Sequence, residues 1–258
     1  EALKEVFQYK QGQYISVRTH INGEEVRRSY SVCSSPLDNE LRVAVKKVDQ
    51  GLFSAYANEQ LKNGDTLDVF PPMGKFFTPL DPSSQKQYVG FAAGSGITPL
   101  LSIIKTTLRT EPDSQFTLVY GNRNRHSIIF REELEGLKNK YIDRFRVIYI
   151  LSREKTDAVI NAGHINAEKC IALCNKTINI QTTSEFFICG PEPMIFSVKE
   201  QLEKMGVDKK HIHFELFTSP GQQKRQEVKR EELGVENKPK SRITVKLDGI
   251  TFGFDLGF

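Results

Sequence analysis

Tryptophan is absent, cysteine occurs only four times, and neither charge sign dominates: 36 Lys and Arg against 32 Asp and Glu leave a net charge of +4. Each shortage excludes something. No apolar run approaches the ~20 residues needed to cross a bilayer, so a membrane-spanning helix is excluded. The opening EALKEVFQYKQ is neither a signal peptide nor a transit peptide, which sets the expectation of a cytoplasmic protein without a membrane partner. A charge of +4 spread over both halves is too small to argue for nucleic acid. The cysteines, Cys33, Cys170, Cys174 and Cys189, form no CxxC pair and no disulfide framework. Cys170 and Cys174 stand four apart in a helix-like stretch and share a face. Two small buried residues explain that spacing, and no further ligands stand nearby, so no metal site is expected.

What is present suits a packed protein. Hydrophobic residues make up 38% of the chain, charged residues 26%, and phenylalanine is plentiful at 17. At roughly 100–200 residues per domain, the length favours two domains. The first half, to about Thr78, reads as β. GQYISV, VRRSYSVCS, LRVAVKKV and DTLDVF are short strand-like runs, bounded by turn signals such as Asn22-Gly23 and Asn63-Gly64-Asp65. One helix, LFSAYANEQL, follows Gly51. Several short strands of this kind predict a closed antiparallel β-barrel.

The second half alternates. QYVGFAAG, FTLVYG, RVIYILS, EFFICG and HIHFELF are apolar strands. Between them lie the helices ITPLLSIIKTTL, SIIFREELEGLKNKY, INAEKCIALCN and PMIFSVKEQLEKMG. That pattern predicts a doubly wound α/β domain on a parallel sheet. TPLDPSSQK, with two prolines, marks the boundary, giving domains over residues 1–80 and 85–218. A polar, charged linker follows over 219–241. Over 242–258, Asp248-Gly249 between two alternating runs predicts a hairpin, which cannot stand alone in water.

Four constellations carry candidate chemistry. Arg28-Ser29-Tyr30-Ser31 lies in a barrel strand, where alternation places Arg28 and Tyr30 on one face. An arginine fork suits a pyrophosphate and a tyrosine ring suits a flat ligand. Taken alone, the run reads first as an ordinary half-buried strand. Gly51-Leu52-Phe53-Ser54 opens the barrel's helix, whose free N–H groups suit phosphate; a turn glycine and a serine cap explain it as well. Ala92-Ala93-Gly94-Ser95-Gly96-Ile97-Thr98-Pro99 lies between the first parallel strand and its helix, where open α/β sheets bind ligands. Cys189-Gly190-Pro191-Glu192-Pro193-Met194 stands at another strand's carboxyl end, as do Tyr120-Gly121-Asn122-Arg123 and Ser152-Arg153. Loops from four strands therefore converge on one crevice, which says more than any single motif.

The ordered set RSYS, GLFS, PPMGKF, AAGSGITP, VYGNR, ILSRE and CGPEPM resembles the ferredoxin–NADP reductase superfamily over roughly Gly12 to Phe217. The resemblance implies an FAD-binding barrel followed by a nicotinamide-binding α/β domain. It implies that Arg28 holds the flavin pyrophosphate, Tyr30 packs on the isoalloxazine and Ser31 lies near flavin N5. Val45 and Lys46 would border the dinucleotide, with Gly51 and Ser54 near its phosphates. Gly94, Gly96 and Thr98 would border the nicotinamide nucleotide, and Cys189 and Gly190 would flank its reacting carbon. Tyr120, Asn122, Arg123 and Met194 join the cofactor-binding set. Glu215 and Phe217 resemble the family's C-terminal acid and aromatic, so Ser31, Cys189, Thr98 and Glu215 are expected at the reacting centre. Ser152 and Arg153 resemble a site for the adenosine 2′-phosphate, which implies NADPH, with NADH the alternative.

ITVKLDGITFGFDL resembles the first hairpin of a plant-type [2Fe–2S] ferredoxin domain, as in the reductase components of multicomponent oxygenases. The resemblance implies an iron–sulfur or oxygenase partner. The C-x4-C-x2-C…C ligands do not occur before Phe258, so the cluster is expected only in a full-length chain. By the same resemblance, a first barrel strand would precede Glu1. The alternatives are a stand-alone ferredoxin or flavodoxin reductase, or a flavohaemoglobin-type reductase module. A non-catalytic subunit that keeps the fold would have broken motifs, and these are intact.

Overall fold

The computed structural model describes residues 5–217, 241–247 and 250–256. They belong to two units, Glu1–Phe217 and Thr218–Phe258. Strands β1 (Tyr14–Ile21) and β2 (Glu24–Ser31) form an antiparallel hairpin in register Tyr14↔Ser31 to Ile21↔Glu24. Asn22 and Gly23 take φ of 53° and 83°, the pair of positive values that a two-residue hairpin of matching twist requires. β3 (Asp68–Val69) pairs with the other edge of β1. Alternation sends Ile15, Val17, Ile21, Val26 and Val32 inward around Phe53 of helix α1 (Leu52–Glu59). This is the antiparallel barrel.

Two of its expected strands are shorter in the structure than in the sequence pattern. LRVAVKKV joins the ladder at a single bridge, Val32↔Val43. Side chains take the backbone groups that a neighbouring strand would pair. Asn58 Nδ2 donates to the Val45 carbonyl at 3.2 Å, and Ser54 Oγ accepts from the Val48 N–H at 3.1 Å. DTLDVF keeps regular pairing only at Asp68–Val69, with Phe70 N–H donating to the Ser16 carbonyl beyond it.

The α/β domain has a five-stranded sheet in the order β6-β5-β4-β7-β8, all parallel. Its strands are β4 (Gln87–Ala93), β5 (Gln115–Asn122), β6 (Phe145–Leu151), β7 (Thr183–Gly190) and β8 (Ile212–Leu216). Its helices are α2 (Ile97–Thr110), α3 (Arg131–Lys140), α4 (Ala167–Lys176) and α5 (Glu192–Lys204). One face packs Leu100 and Ile104 of α2 and Leu134 of α3, together with Phe76 from the barrel side. The other packs Cys170 and Leu173 of α4 with Ile195, Val198 and Leu202 of α5. Helices on both faces make the sheet doubly wound, as the alternating pattern predicts. Helix α3 starts later than the run SIIFREELEGLKNKY suggests. Arg125–Ser127 is a 3-10 turn and Phe130 enters the left-handed region at φ 59°, which stops the helix from extending backwards.

β4 is central, and the chain leaves it first towards β5 and β6, then returns to the other side for β7 and β8. The strand order therefore reverses between β4 and β7, and the loops after these two strands face a common crevice. All four cysteines are free, and no cluster of ligating side chains suits a metal among the described residues. No described helix is long and apolar enough to cross a membrane.

In the second unit, β9 (Ser241–Leu247) and β10 (Ile250–Leu256) pair antiparallel, with Ile250 opposite Leu247. The expected turn at Asp248-Gly249 and, apart from Ser241 at the start of β9, the expected linker over 219–241 lie outside the described residues.

Candidate functional site

The crevice is built from backbone. After β4, Gly94–Gly96 makes a 3-10 turn into α2. A side-chain carbon on Gly96 would stand 2.1 Å from the Cys189 carbonyl oxygen, so the loops after β4 and β7 touch main chain to main chain. Gly94 has φ +54° and open space where a side chain would be, so a ligand can approach its backbone closely. Two buried hydroxyls hold this turn from below. Tyr120 Oη donates to the Gly94 carbonyl at 2.9 Å and Thr98 Oγ1 donates to the Ser95 carbonyl at 3.0 Å. Burial pushes the Tyr120 phenol well above its ordinary value, so it stays a donor. Both residues shape the loop rather than reach out of it. Met194 does the same behind Gly190, where a side-chain carbon would meet its Cε at 2.8 Å.

The β5–β6 ladder runs on past the strand ends. Ser152 N–H donates to the Asn122 carbonyl at 3.0 Å, and Arg153 N–H donates to the Arg123 carbonyl at 2.8 Å. This sets Arg123 and Arg153 side by side on the carboxyl edge, both exposed, with no side-chain ion pair among the described residues. Asn122 Nδ2 is buried there without a hydrogen-bond partner.

On the barrel side, Arg28 Nη1 donates to the neighbouring Arg27 carbonyl at 2.7 Å and pairs with no carboxylate among the described residues. Tyr30 is half-buried, its ring 5.5 Å from that of Phe53. Ser54 spends its hydroxyl internally, donating to the Gly51 carbonyl while accepting from Val48, so it shapes the turn before α1. Val45 is half-buried beside that turn and Lys46 is exposed.

The two sides meet at Ser31. Its Oγ donates to Glu215 Oε2 at 3.2 Å, and Glu215 lies opposite Cys189 in the β7–β8 register. Three of the four residues expected at the reacting centre, Ser31, Cys189 and Glu215, are thus brought together, while Thr98 sits under the adjoining turn. Burial raises the Glu215 carboxyl to about 7, against the smaller opposing effect of the Ser31 hydrogen bond. Burial, reinforced by Glu215, pushes the Cys189 thiol up, so it is a thiol and not a thiolate. Phe217 is exposed just past β8.

The raised Glu215 carboxyl makes stability depend on pH. Below its ordinary 4.5 the carboxyl is protonated in both folded and unfolded chains. As pH rises the unfolded chain ionises first, so stability falls until the folded carboxyl ionises near 7. The penalty above that point is no more than about 3 kcal/mol, and solvent access at the site reduces it. Glu215→Gln should therefore raise Tm at about pH 8 and leave it nearly unchanged at about pH 4. Thermal melts across that range check this; a Tm lowered equally at both ends would contradict it.

The groups present fit a flat, doubly phosphorylated ligand on each side. An arginine without a carboxylate partner stands beside a half-buried tyrosine in the barrel. An open glycine turn, the buried Asn122 amide and two arginines with no side-chain ion pair among the described residues line the sheet edge. Phe76 escapes residue-by-residue reading, although PPMGKF flags its neighbourhood. Its ring packs edge-on against Phe187 of β7 at 5.5 Å and fastens the barrel to the sheet.

Comparison with known proteins agrees with this geometry. Residues 1–78 match the model of the oxidoreductase FAD-binding domain, and residues 91–200 that of the oxidoreductase NAD-binding domain. The chain is 41% identical over 249 residues to a component of the 1,2-phenylacetyl-CoA epoxidase of Escherichia coli (strain K12), covering 96% of this chain and 68% of that one. It is 34% identical over 221 residues to the ferredoxin reductase component of the 3-ketosteroid-9-alpha-monooxygenase of Rhodococcus rhodochrous, covering 85% and 59%. The chain thus spans 68% and 59% of these two relatives' lengths. The flavohaem-like FAD/NAD-binding domain of nitric oxide dioxygenase from Vibrio cholerae O1 biovar El Tor superposes with a TM-score of 0.71 at 28% identity, covering 82% of this chain and 86% of that one. Two domain models matched in order, on a barrel and a doubly wound sheet that share one crevice, show that the chain belongs to the ferredoxin–NADP reductase family and is an NAD(P)H-dependent flavin oxidoreductase.

Proposed function

We propose that this chain draws electrons from NADPH through FAD to an iron–sulfur centre, which delivers them to a multicomponent oxygenase. The observation that carries the reading is the Ser31–Glu215–Cys189 cluster, because it forms where the barrel and the sheet edge meet. When bound, the nicotinamide supplies a hydride, and the flavin accepts it and releases the pair as single electrons.

The chain's own groups bind, align and shield. Arg28 would hold the flavin pyrophosphate, with Gly51 and the first turn of α1 beside it. Tyr30 would cover one face of the flavin ring. Gly94 admits the nicotinamide nucleotide against the backbone, Gly96 lets the loops after β4 and β7 close on each other, and Cys189-Gly190 bounds the nicotinamide ring from β7. Tyr120, Thr98, Ser54 and Met194 keep these surfaces in shape. Ser31 Oγ, on its hydrogen bond to Glu215, holds a proton at the junction. Holding the reacting atoms at a near-attack separation of ~3–3.5 Å makes the transfer effectively unimolecular.

Arg123 and Arg153 support NADPH over NADH, since two unpaired guanidinium groups suit a 2′-phosphate. Losing one charge-assisted contact costs roughly 1.5–3 kcal/mol, about 10- to 100-fold in kcat/KM. Arg153→Ala should impose that loss on NADPH and leave NADH turnover almost untouched. An unchanged NADPH preference would remove Arg153 from the phosphate site.

The electron exit and the metabolic setting rest on likeness. The relative at 41% identity is named as part of a phenylacetyl-CoA epoxidase, which supports a role in phenylacetate breakdown. The paired strands β9 and β10 support reading 242–258 as the opening of a [2Fe–2S] ferredoxin domain, joined by the linker to the two cofactor domains. Four free cysteines suit a reducing cytoplasm. With NADPH and FAD present, the protein should reduce an added plant-type [2Fe–2S] ferredoxin. A ferredoxin that stays oxidised beside a reduced flavin would place the exit elsewhere.

A further inference from the structure

Outside the crevice, a second set of polar side chains joins the barrel to the sheet domain. Residues 34–38 follow two residues after β2, the strand that ends at Ser31, and run along helix α2, whose first turn carries Thr98. Ser102 Oγ donates to the Ser34 carbonyl at 2.6 Å, Ser35 Oγ and Thr106 Oγ1 share a hydrogen bond at 2.8 Å, and Arg109 Nη2 donates to the Leu37 carbonyl at 2.9 Å. Positions 102, 105, 106 and 109 lie on one face of the helix.

Lys105 stands in the middle of this seam. Its Nζ reaches Asp38 Oδ2 at 2.6 Å and Glu133 Oε1, on α3, at 3.0 Å. Its side chain is 13% exposed, and those of Asp38 and Glu133 are 15% and 27% exposed. These are not the solvated pairs that contribute nothing measurable. Each carboxylate also holds a second cation, Arg109 on Asp38 and Arg42 on Glu133. Signs alternate along the row Arg109, Asp38, Lys105, Glu133, Arg42, with Asp38 and Arg42 from the barrel side. Lys105 is the link that touches both carboxylates.

We propose that Lys105 is a positioning residue for hydride transfer. By tying Asp38 to Glu133 it adds the central constraint to the hydrogen bonds from Ser102, Thr106 and Arg109 that hold the segment after Ser31 against α2, and so sets the separation between the surfaces that carry the two rings. The proposal rests on the assignment of FAD to the barrel and the nicotinamide nucleotide to the sheet edge. Removing Lys105 takes out the one link between the two carboxylates, while Arg109 on Asp38 and Arg42 on Glu133 keep each of them paired. Breaking a link of this kind is therefore separable from unfolding.

The test compares the wild type with Lys105→Met and Lys105→Arg, each loaded with FAD. Lys105→Met should slow flavin reduction at saturating NADPH about 10-fold, since sub-ångström misplacement is costly in a preorganised site. FAD affinity and the KM for NADPH should stay within about twofold. Two readouts independent of turnover should move as well. The long-wavelength charge-transfer absorbance formed with the oxidised nucleotide should weaken, and backbone amides of residues 34–42 should exchange faster. Lys105→Arg should restore both, together with the rate. A Lys105→Met protein with a lowered Tm but an unchanged charge-transfer band and reduction rate would make Lys105 merely structural and overturn the proposal. A wild type that binds FAD and NADPH yet leaves the flavin oxidised would overturn the functional reading, and the proposal with it. In that case the amide exchange would still report whether the seam exists.

Discussion

Gly96→Ala should lower the rate of flavin reduction by NADPH about a hundredfold while FAD stays bound. The cause is local and steric. The added methyl would lie 2.1 Å from the Cys189 carbonyl oxygen and 2.8 Å from the Gly190 nitrogen, both of them backbone atoms that no rotamer change can move. The loop after β4 or the loop after β7 must shift by about an ångström, and a shift of that size costs ~10²-fold in a preorganised site. The overpacking itself costs roughly 1–3 kcal/mol, which a domain of this size tolerates. The barrel does not share these contacts, so flavin binding is the internal control. Stopped-flow reduction together with a flavin titration checks the prediction. A variant that reduces its flavin at the wild-type rate would show that the two loops do not form the nicotinamide surface.

Arg28→Ala should weaken FAD binding by about two to three orders of magnitude. Arg28 meets the Arg27 carbonyl and no carboxylate among the described residues. Its charge is therefore uncommitted, and a pyrophosphate would be its main partner. Truncating one member of a desolvated charge pair costs ~2–5 kcal/mol, which sets the scale of the loss. Stability should change little, because the side chain bridges no core residues. Arg28→Lys should recover only part of the affinity, since an ammonium lacks the bidentate fork. Fluorescence titration of the apoprotein with FAD measures all three proteins. An Arg28→Ala chain that binds FAD as tightly as the wild type would move the pyrophosphate elsewhere.

Much of this architecture is legible in the sequence, because its signals are local. Asn22-Gly23 marks the hairpin, and the apolar strands that alternate with amphipathic helices mark the wound sheet. AAGSGITP and CGPEPM announce themselves by standing between a strand and a helix. Other features are hidden, because the deciding contact is made elsewhere in the chain. LRVAVKKV has the composition of a strand, yet Asn58 and Ser54 of α1 claim its backbone groups. The late start of α3 depends on the left-handed turn at Phe130, a residue type that gives no warning of it. The resemblance sets Tyr120, Thr98 and Ser54 among the cofactor contacts; in the fold their hydroxyls are spent on neighbouring carbonyls. The Ser31–Glu215 contact and the Lys105 seam join residues far apart in sequence, and no spacing rule connects them.

If one crevice aligns a nicotinamide donor with a flavin acceptor, electrons must pass between them within a single complex. Anaerobic addition of NADPH to the FAD-loaded protein tests it most directly. The flavin's visible absorbance should bleach rapidly in a single phase, complete at one NADPH per flavin. A chain that binds both cofactors and keeps its flavin oxidised would contradict it.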